Sequence, residues 1–93
     1  MSVLSDAEIE QRLAGLPQWR RSGQAIERDL ELADFAAAIA LVDSVAALAE
    51  AANHHPDILV HGWNKLRLTL STHSEGGLTE ADFKLASEID ASV

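Results

Sequence analysis

NKLRLTLST, residues 64–72, is the stretch that decides the fold. Leu66, Leu68 and Leu70 share one parity, while Lys65, Arg67, Thr69 and Ser71 take the other. Successive side chains of an extended chain point to opposite faces, so this alternation predicts a half-buried strand. A shorter strand precedes it at residues 58–60. Further upstream, Ile26, Leu30 and Leu32 alternate with Glu27, Asp29 and Glu31, interrupted by Arg28 on the apolar parity. Arg21-Ser22-Gly23-Gln24 reads as the turn that joins this strand, residues 25–32, to a short one holding Trp19.

Helices fill the intervals. Ser5 and Glu8 have capping-box spacing, Leu4 and Ile9 that of a hydrophobic staple, and Ile9, Leu13 and Leu16 form an apolar stripe. Gly15 and Pro17 end that helix near Ala14. Asp34 caps a long second helix over residues 35–52, with a stripe of Phe35, Ile39, Val42, Ala46 and Ala49 widened by Leu41, Val45 and Leu48. Pro56 prevents its continuation. Gly76-Gly77 turns the chain into a third helix, capped by Thr79 with Asp82 at N3 and stapled by Leu78 and Phe83. Phe83, Ala86 and Ile89 line its buried side, with Leu85 at the flank. The order helix, strand, strand, helix, strand, strand, helix implies an α+β two-layer sandwich, an antiparallel sheet with helices on one face. A single domain spanning residues 1–93 is expected.

Composition narrows the function. The chain lacks cysteine, which excludes disulfides and thiolate chemistry. Seven basic against fifteen acidic residues give a net charge of −8, which opposes direct binding to a phosphate backbone. The N-terminal run has no secretory character, and Asp43 interrupts the most apolar stretch, so no bilayer span is expected. A cytoplasmic protein fits these features. Phosphate-cradling glycine motifs are also missing.

Candidate chemistry rests on histidine. Glu50 lies four residues before the adjacent pair His54-His55, so Glu50 and His54 share a face if the helix extends that far. A protonated and a neutral imidazole side by side can serve as acid and base. Adjacent residues diverge on a regular helix or strand, so both rings reach one pocket only through an irregular helix exit, for which Pro56 supplies a reason. His73 closes the best strand. The bland readings compete: a solvated cap for the pair, a surface charge for Glu50, a strand end for His73, a turn for His61 and a core position for Trp63. Asp82 is explained by capping Thr79. A three-histidine metal site is disfavoured because adjacent ligands are awkward and His-x-x-x-His is missing.

The run Glu50-Ala51-Ala52-Asn53-His54-His55-Pro56, then Trp63, then Leu70-Ser71-Thr72-His73, then Gly77-Leu78-Thr79 and Asp82 resembles the pterin-4a-carbinolamine dehydratase family. The resemblance covers nearly the whole chain, including Phe35 and Leu85-Ala86. It implies a four-stranded antiparallel sheet with three helices on one side, and homodimers or homotetramers. It further implies removal of water from 4a-hydroxytetrahydropterin to give quinonoid dihydropterin in tetrahydropterin recycling, with no metal or organic cofactor. By the same resemblance His54, His55 and His73 form the acid/base set and Glu50 orients or polarises a ring. Pro56 and the segment Thr72 to Ser74 would contact the pterin. Which histidine donates and which accepts is left open. Two departures stand out: six residues separate Pro56 from Trp63 where many relatives have five, and Ile58 replaces an aromatic. Some proteins of this fold act instead as coactivators or assembly factors. A non-catalytic binding module is therefore the alternative, with neither direct nucleic-acid nor membrane binding expected.

Overall fold

A computed structural model describes residues 3–93. Helix α1 spans Asp6–Leu13, strands β1 and β2 span Arg20–Ser22 and Ala25–Glu31, and helix α2 spans Phe35–Ala52. Strands β3 (Asp57–His61) and β4 (Lys65–Leu70) follow, then a 3₁₀ turn at His73–Glu75 and helix α3 at Glu80–Ser92. The four strands form one antiparallel sheet in the order β1-β2-β4-β3, which leaves β1 and β3 at the edges.

The sheet has two unlike faces. Ile26, Leu66, Leu68 and Leu70 are fully buried and join Ile9 of α1, Leu41 and Val45 of α2, and Phe83, Leu85, Ala86 and Ile89 of α3 in one core. All three helices therefore cover one face, as the alternation in β4 predicts. On the open face Asp29 pairs across the sheet with Arg67, Nε to Oδ1 at 2.8 Å. That hydrogen bond, helped by Arg20 nearby, holds the Asp29 carboxyl below its usual value. Arg28 breaks the apolar parity of β2 because it has a partner on the helix side. Its guanidinium meets Asp90 of α3 at 2.5 Å, and the buried Trp19 donates its indole N–H to the same carboxylate oxygen at 2.8 Å. Trp19 thus sits just before β1 rather than within it.

Several local expectations shift. The strand expected over residues 64–72 is regular only from Lys65 to Leu70. Asn64 is buried and exchanges bonds with Leu32, its Nδ2 donating to the Leu32 carbonyl at 3.0 Å. Thr72 makes an isolated bridge to Gly77. Gly77 is needed for close approach, since a Cβ there would lie 3.0 Å from Val3 Cγ1. The buried row of α2 is Ala38, Leu41, Val45 and Ala49, leaving Phe35 55% and Ile39 37% exposed. Alanine on every side makes the hydrophobic pattern of α2 nearly uniform, so spacing alone does not fix which stripe faces inward. By length and composition α2 is also apolar enough to cross a bilayer, yet its buried row is that of a core helix. Trp63 is not a core residue. It is 62% exposed at the tip of the β3–β4 hairpin, where Gly62 and Trp63 both adopt positive φ. Leu85, expected at the flank of α3, is fully buried.

Candidate active site

The end of α2 sets the geometry. Asn53 adopts a left-handed conformation, φ 50°, immediately after the last helical residue. Its N–H bonds the Glu50 carbonyl at 3.2 Å and the next N–H, of His54, reaches back to Ala49 at 3.1 Å. These two bonds are a Schellman motif, which satisfies the last carbonyls and turns the chain sharply. Asparagine tolerates this backbone better than most residues. The irregular helix exit therefore lies at Asn53, three residues earlier than Pro56. It sends the two neighbouring histidines in different directions: the His54 side chain is 15% exposed and that of His55 58%.

His54 turns inward. Its Nε2 lies 2.5 Å from Oδ1 of Asp82, which is fully buried at the start of α3. The other Asp82 oxygen accepts the Thr79 N–H at 2.9 Å and the Thr72 hydroxyl at 2.8 Å. Thr72 and Thr79 hydroxyls are in turn 2.9 Å apart. Asp82 is the capping residue its spacing predicts, and it is also more: one carboxylate joins the α3 cap, the strand-end Thr72 and the His54 ring. Buried carboxylates are tolerated when several donors converge on them, and the helix N-terminus adds favourable partial charge.

The other expected residues gather elsewhere. Glu50 faces His55 rather than His54, Oε2 to Nε2 at 2.5 Å, in an exposed pair. His73 is exposed on the 3₁₀ turn, with Nε2 3.4 Å from the Ser71 hydroxyl. Pro56 is half-buried, Ser74 exposed, and Thr72 buried with its hydroxyl directed at Asp82. His54 lines a cleft of about 560 Å³ between α2 and α3, with Ala51, Ala52, Ala81, Lys84 and Leu85 among its walls. His73 lines a separate cleft of about 290 Å³ with Gln24, Ser71 and Gly77. The structure thus joins His54 to Asp82, and through it to Thr72, joins His55 to Glu50, and places His73 in a separate cleft. Among the described residues no three His, Asp or Glu side chains cluster as a metal site would require.

This arrangement suits proton transfer. With Asp82 accepting from Nε2–H, the neutral His54 ring carries its lone pair on Nδ1, and the adjacent carboxylate stabilises the imidazolium that forms when Nδ1 gains a proton. Sequence reasoning explained Asp82 by capping, although it also closes the run that carries the family resemblance, and gave Thr72 to substrate.

Comparison with known proteins identifies the family. The family model described as Pterin 4 alpha carbinolamine dehydratase matches residues 2–92. A protein of Roseiflexus sp. (strain RS-1), provisionally named pterin-4-alpha-carbinolamine dehydratase, is 55% identical over 94% of this chain and 92% of its own length. A provisionally named counterpart from Acidobacterium capsulatum is 50% identical over 98% of both chains. Among solved structures, a transcriptional coactivator/pterin dehydratase from Brucella Melitensis superposes with a TM-score of 0.91 at 34% identity, covering 97% of each chain. A pterin dehydratase-like RuBisCO assembly factor of the alpha-carboxysome matches with a TM-score of 0.66 at 28% identity, over 80% of this chain and 87% of that one. The chain belongs to the pterin-4a-carbinolamine dehydratase family.

Proposed function

We propose that the protein is a hydro-lyase that removes water from 4a-hydroxytetrahydropterin, giving quinonoid dihydropterin, by histidine acid/base catalysis. The observation that carries this reading is His54, held by the buried Asp82, on the wall of a ligand-sized cleft. Hydroxide is a poor leaving group, so an acid must protonate the 4a-oxygen as the C4a–O bond breaks. The N5 proton passes to a base as the C=N bond forms, and water leaves. Imidazoles perform both transfers near neutrality. His54 acts from its cleft, His55 and His73 complete the acid/base set although His73 lines a separate cleft, Glu50 holds the His55 ring, and the pterin contacts the chain near Pro56, Thr72 and Ser74. No metal or organic cofactor takes part in this scheme.

Two features support assembly into homodimers or homotetramers. β3 is an unpaired edge carrying Ile58 and Leu59, 37% and 50% exposed, and α2 presents Phe35 and Ile39 outward. Exposed edges and apolar patches of this kind are the surfaces that a second copy covers. The same surfaces favour the second reading, a non-catalytic assembly or coregulator module. A stable complex with another protein that survives His54→Ala would speak for it.

The deciding experiment follows freshly generated 4a-hydroxytetrahydropterin with and without protein. The dehydratase accelerates its loss over buffer, and His54→Ala loses at least about 10²-fold of that acceleration. Equal rates with and without the wild-type protein would overturn the reading.

A further inference from the structure

We propose that Thr72 is a positioning residue whose hydroxyl fixes the His54 tautomer through Asp82. With Asp82 ionised and the His54 ring neutral, the proton inventory of the buried network has one consistent solution. Asp82, as a carboxylate, only accepts, so Thr72 must spend its single O–H on Oδ2 at 2.8 Å. The Thr72–Thr79 contact at 2.9 Å then needs the Thr79 hydroxyl as donor. Thr79 Oγ1 in turn accepts the Ala81 N–H at 3.3 Å. The chain of donation runs one way, from the first turn of α3 through Thr79 and Thr72 to Oδ2. The Thr79 N–H also occupies Oδ2, at 2.9 Å. Oδ1 is left to His54, so the ring holds its proton on Nε2 and offers Nδ1 as the base.

Thr72 matters because it comes from a different element. The cap of α3 alone would hold the Asp82 backbone, yet Thr72, anchored to Gly77 by a two-way backbone bridge, fixes the rotation of the carboxyl group. Thr72 also adjoins His73, so this one hydroxyl ties the His73 segment, through Asp82, to His54. The inference rests on the proposed dehydratase reading only for its kinetic consequence. The tautomer itself is a property of the free protein.

The experiment is long-range ¹H–¹⁵N NMR on the full chain with ¹⁵N-labelled histidine, paired with dehydration kinetics. Wild type and Thr72→Ser are expected to hold His54 as the Nε2–H tautomer. Thr72→Val, which keeps the shape and removes the hydroxyl, is expected to show a mixed tautomer and a fall of about tenfold in kcat with KM little changed. An Nδ1–H tautomer in the wild type overturns the proposal, as does an unaltered Nε2–H tautomer in folded Thr72→Val. Should Thr72→Val fail to fold, hydroxyl-proton exchange in the wild type decides: a slowly exchanging Thr72 O–H supports the proposal and a rapidly exchanging one overturns it. If the wild-type protein lacks dehydratase activity, the NMR outcomes still stand on their own.

Discussion

Oδ1 of Asp82 and Nε2 of His54 are 2.5 Å apart, although the residues lie 28 positions apart in the chain. Three donors converge on this buried carboxylate, from His54, Thr72 and Thr79. Asparagine at position 82 offers one accepting oxygen and a donating NH₂ group. One of the present donors must then face an N–H. If the amide turns its NH₂ to His54, the ring is driven to the opposite tautomer, which is the wrong one for a base at Nδ1. Asp82→Asn is expected to lower kcat roughly 10²-fold or more. It should also lower stability by about 1–3 kcal/mol, the cost of a buried polar group left unpaired. Dehydration kinetics and urea unfolding on the same preparation check both.

Asn53 carries a second prediction. A left-handed backbone costs most L-residues roughly 1–2 kcal/mol, and glycine pays none of it. Asn53→Gly should therefore be close to neutral in thermal unfolding, whereas Asn53→Val should destabilise by at least about 1 kcal/mol. Because the same turn directs His54 inward, Asn53→Val should also weaken activity beyond what its lower stability explains, measured well below its melting temperature. Equal melting temperatures for the glycine and valine variants would remove the argument.

How far the sequence reaches is visible in these same residues. The β4 alternation of Leu66, Leu68 and Leu70, the Ser5 and Thr79 capping boxes and the end of α1 before Pro17 are local signals, and each appears where spacing puts it. The facing of α2 was not legible, because fifteen apolar and alanine positions among its 18 residues leave no polar side to orient it. Nor was the partner of His54. Glu50 is the near carboxylate in sequence, but the left-handed Asn53 rotates His54 away from it and leaves His55 in reach. A single φ of opposite sign thus exchanged the partners of two adjacent rings. Arg28 shows the converse: its polar intrusion into an apolar parity marked a buried pair whose other half, Asp90, lies at the far end of the chain.

The open sheet face supplies a pH prediction. The Asp29 carboxyl is held below its usual 3.8, chiefly by the hydrogen bond from Arg67. A depressed carboxyl adds stability that is fully present above the unfolded value. That stability is lost as pH falls from there through the lowered folded value. Asp29→Asn should therefore be less stable than wild type at pH 7, by no more than about 1 kcal/mol because the pair is solvent-exposed. The gap should close in strong acid, below the folded value, and shrink in high salt. Urea midpoints across this range test it, and a gap that persists in strong acid would count against the ion pair.

The Arg28–Asp90 pair should respond differently, because its side chains are only 14% and 26% exposed. Breaking a fully buried pair costs roughly 3–5 kcal/mol, mostly through the charge left behind. Partial exposure here reduces that figure. Asp90→Asn keeps an acceptor for the Trp19 indole while removing the charge, and is expected to cost about 2 kcal/mol. The cost falls on Arg28, whose Nε is already buried without a partner among the described residues. Adding Arg28→Met to Asp90→Asn removes the stranded guanidinium and keeps an unbranched chain of similar length against the core. The double variant should therefore regain most of the lost stability. A double variant less stable than Asp90→Asn alone would mean that Arg28 stabilises by packing its stem rather than through its pairing with Asp90. Thermal unfolding of the wild type and the three variants, including Arg28→Met, closes the cycle.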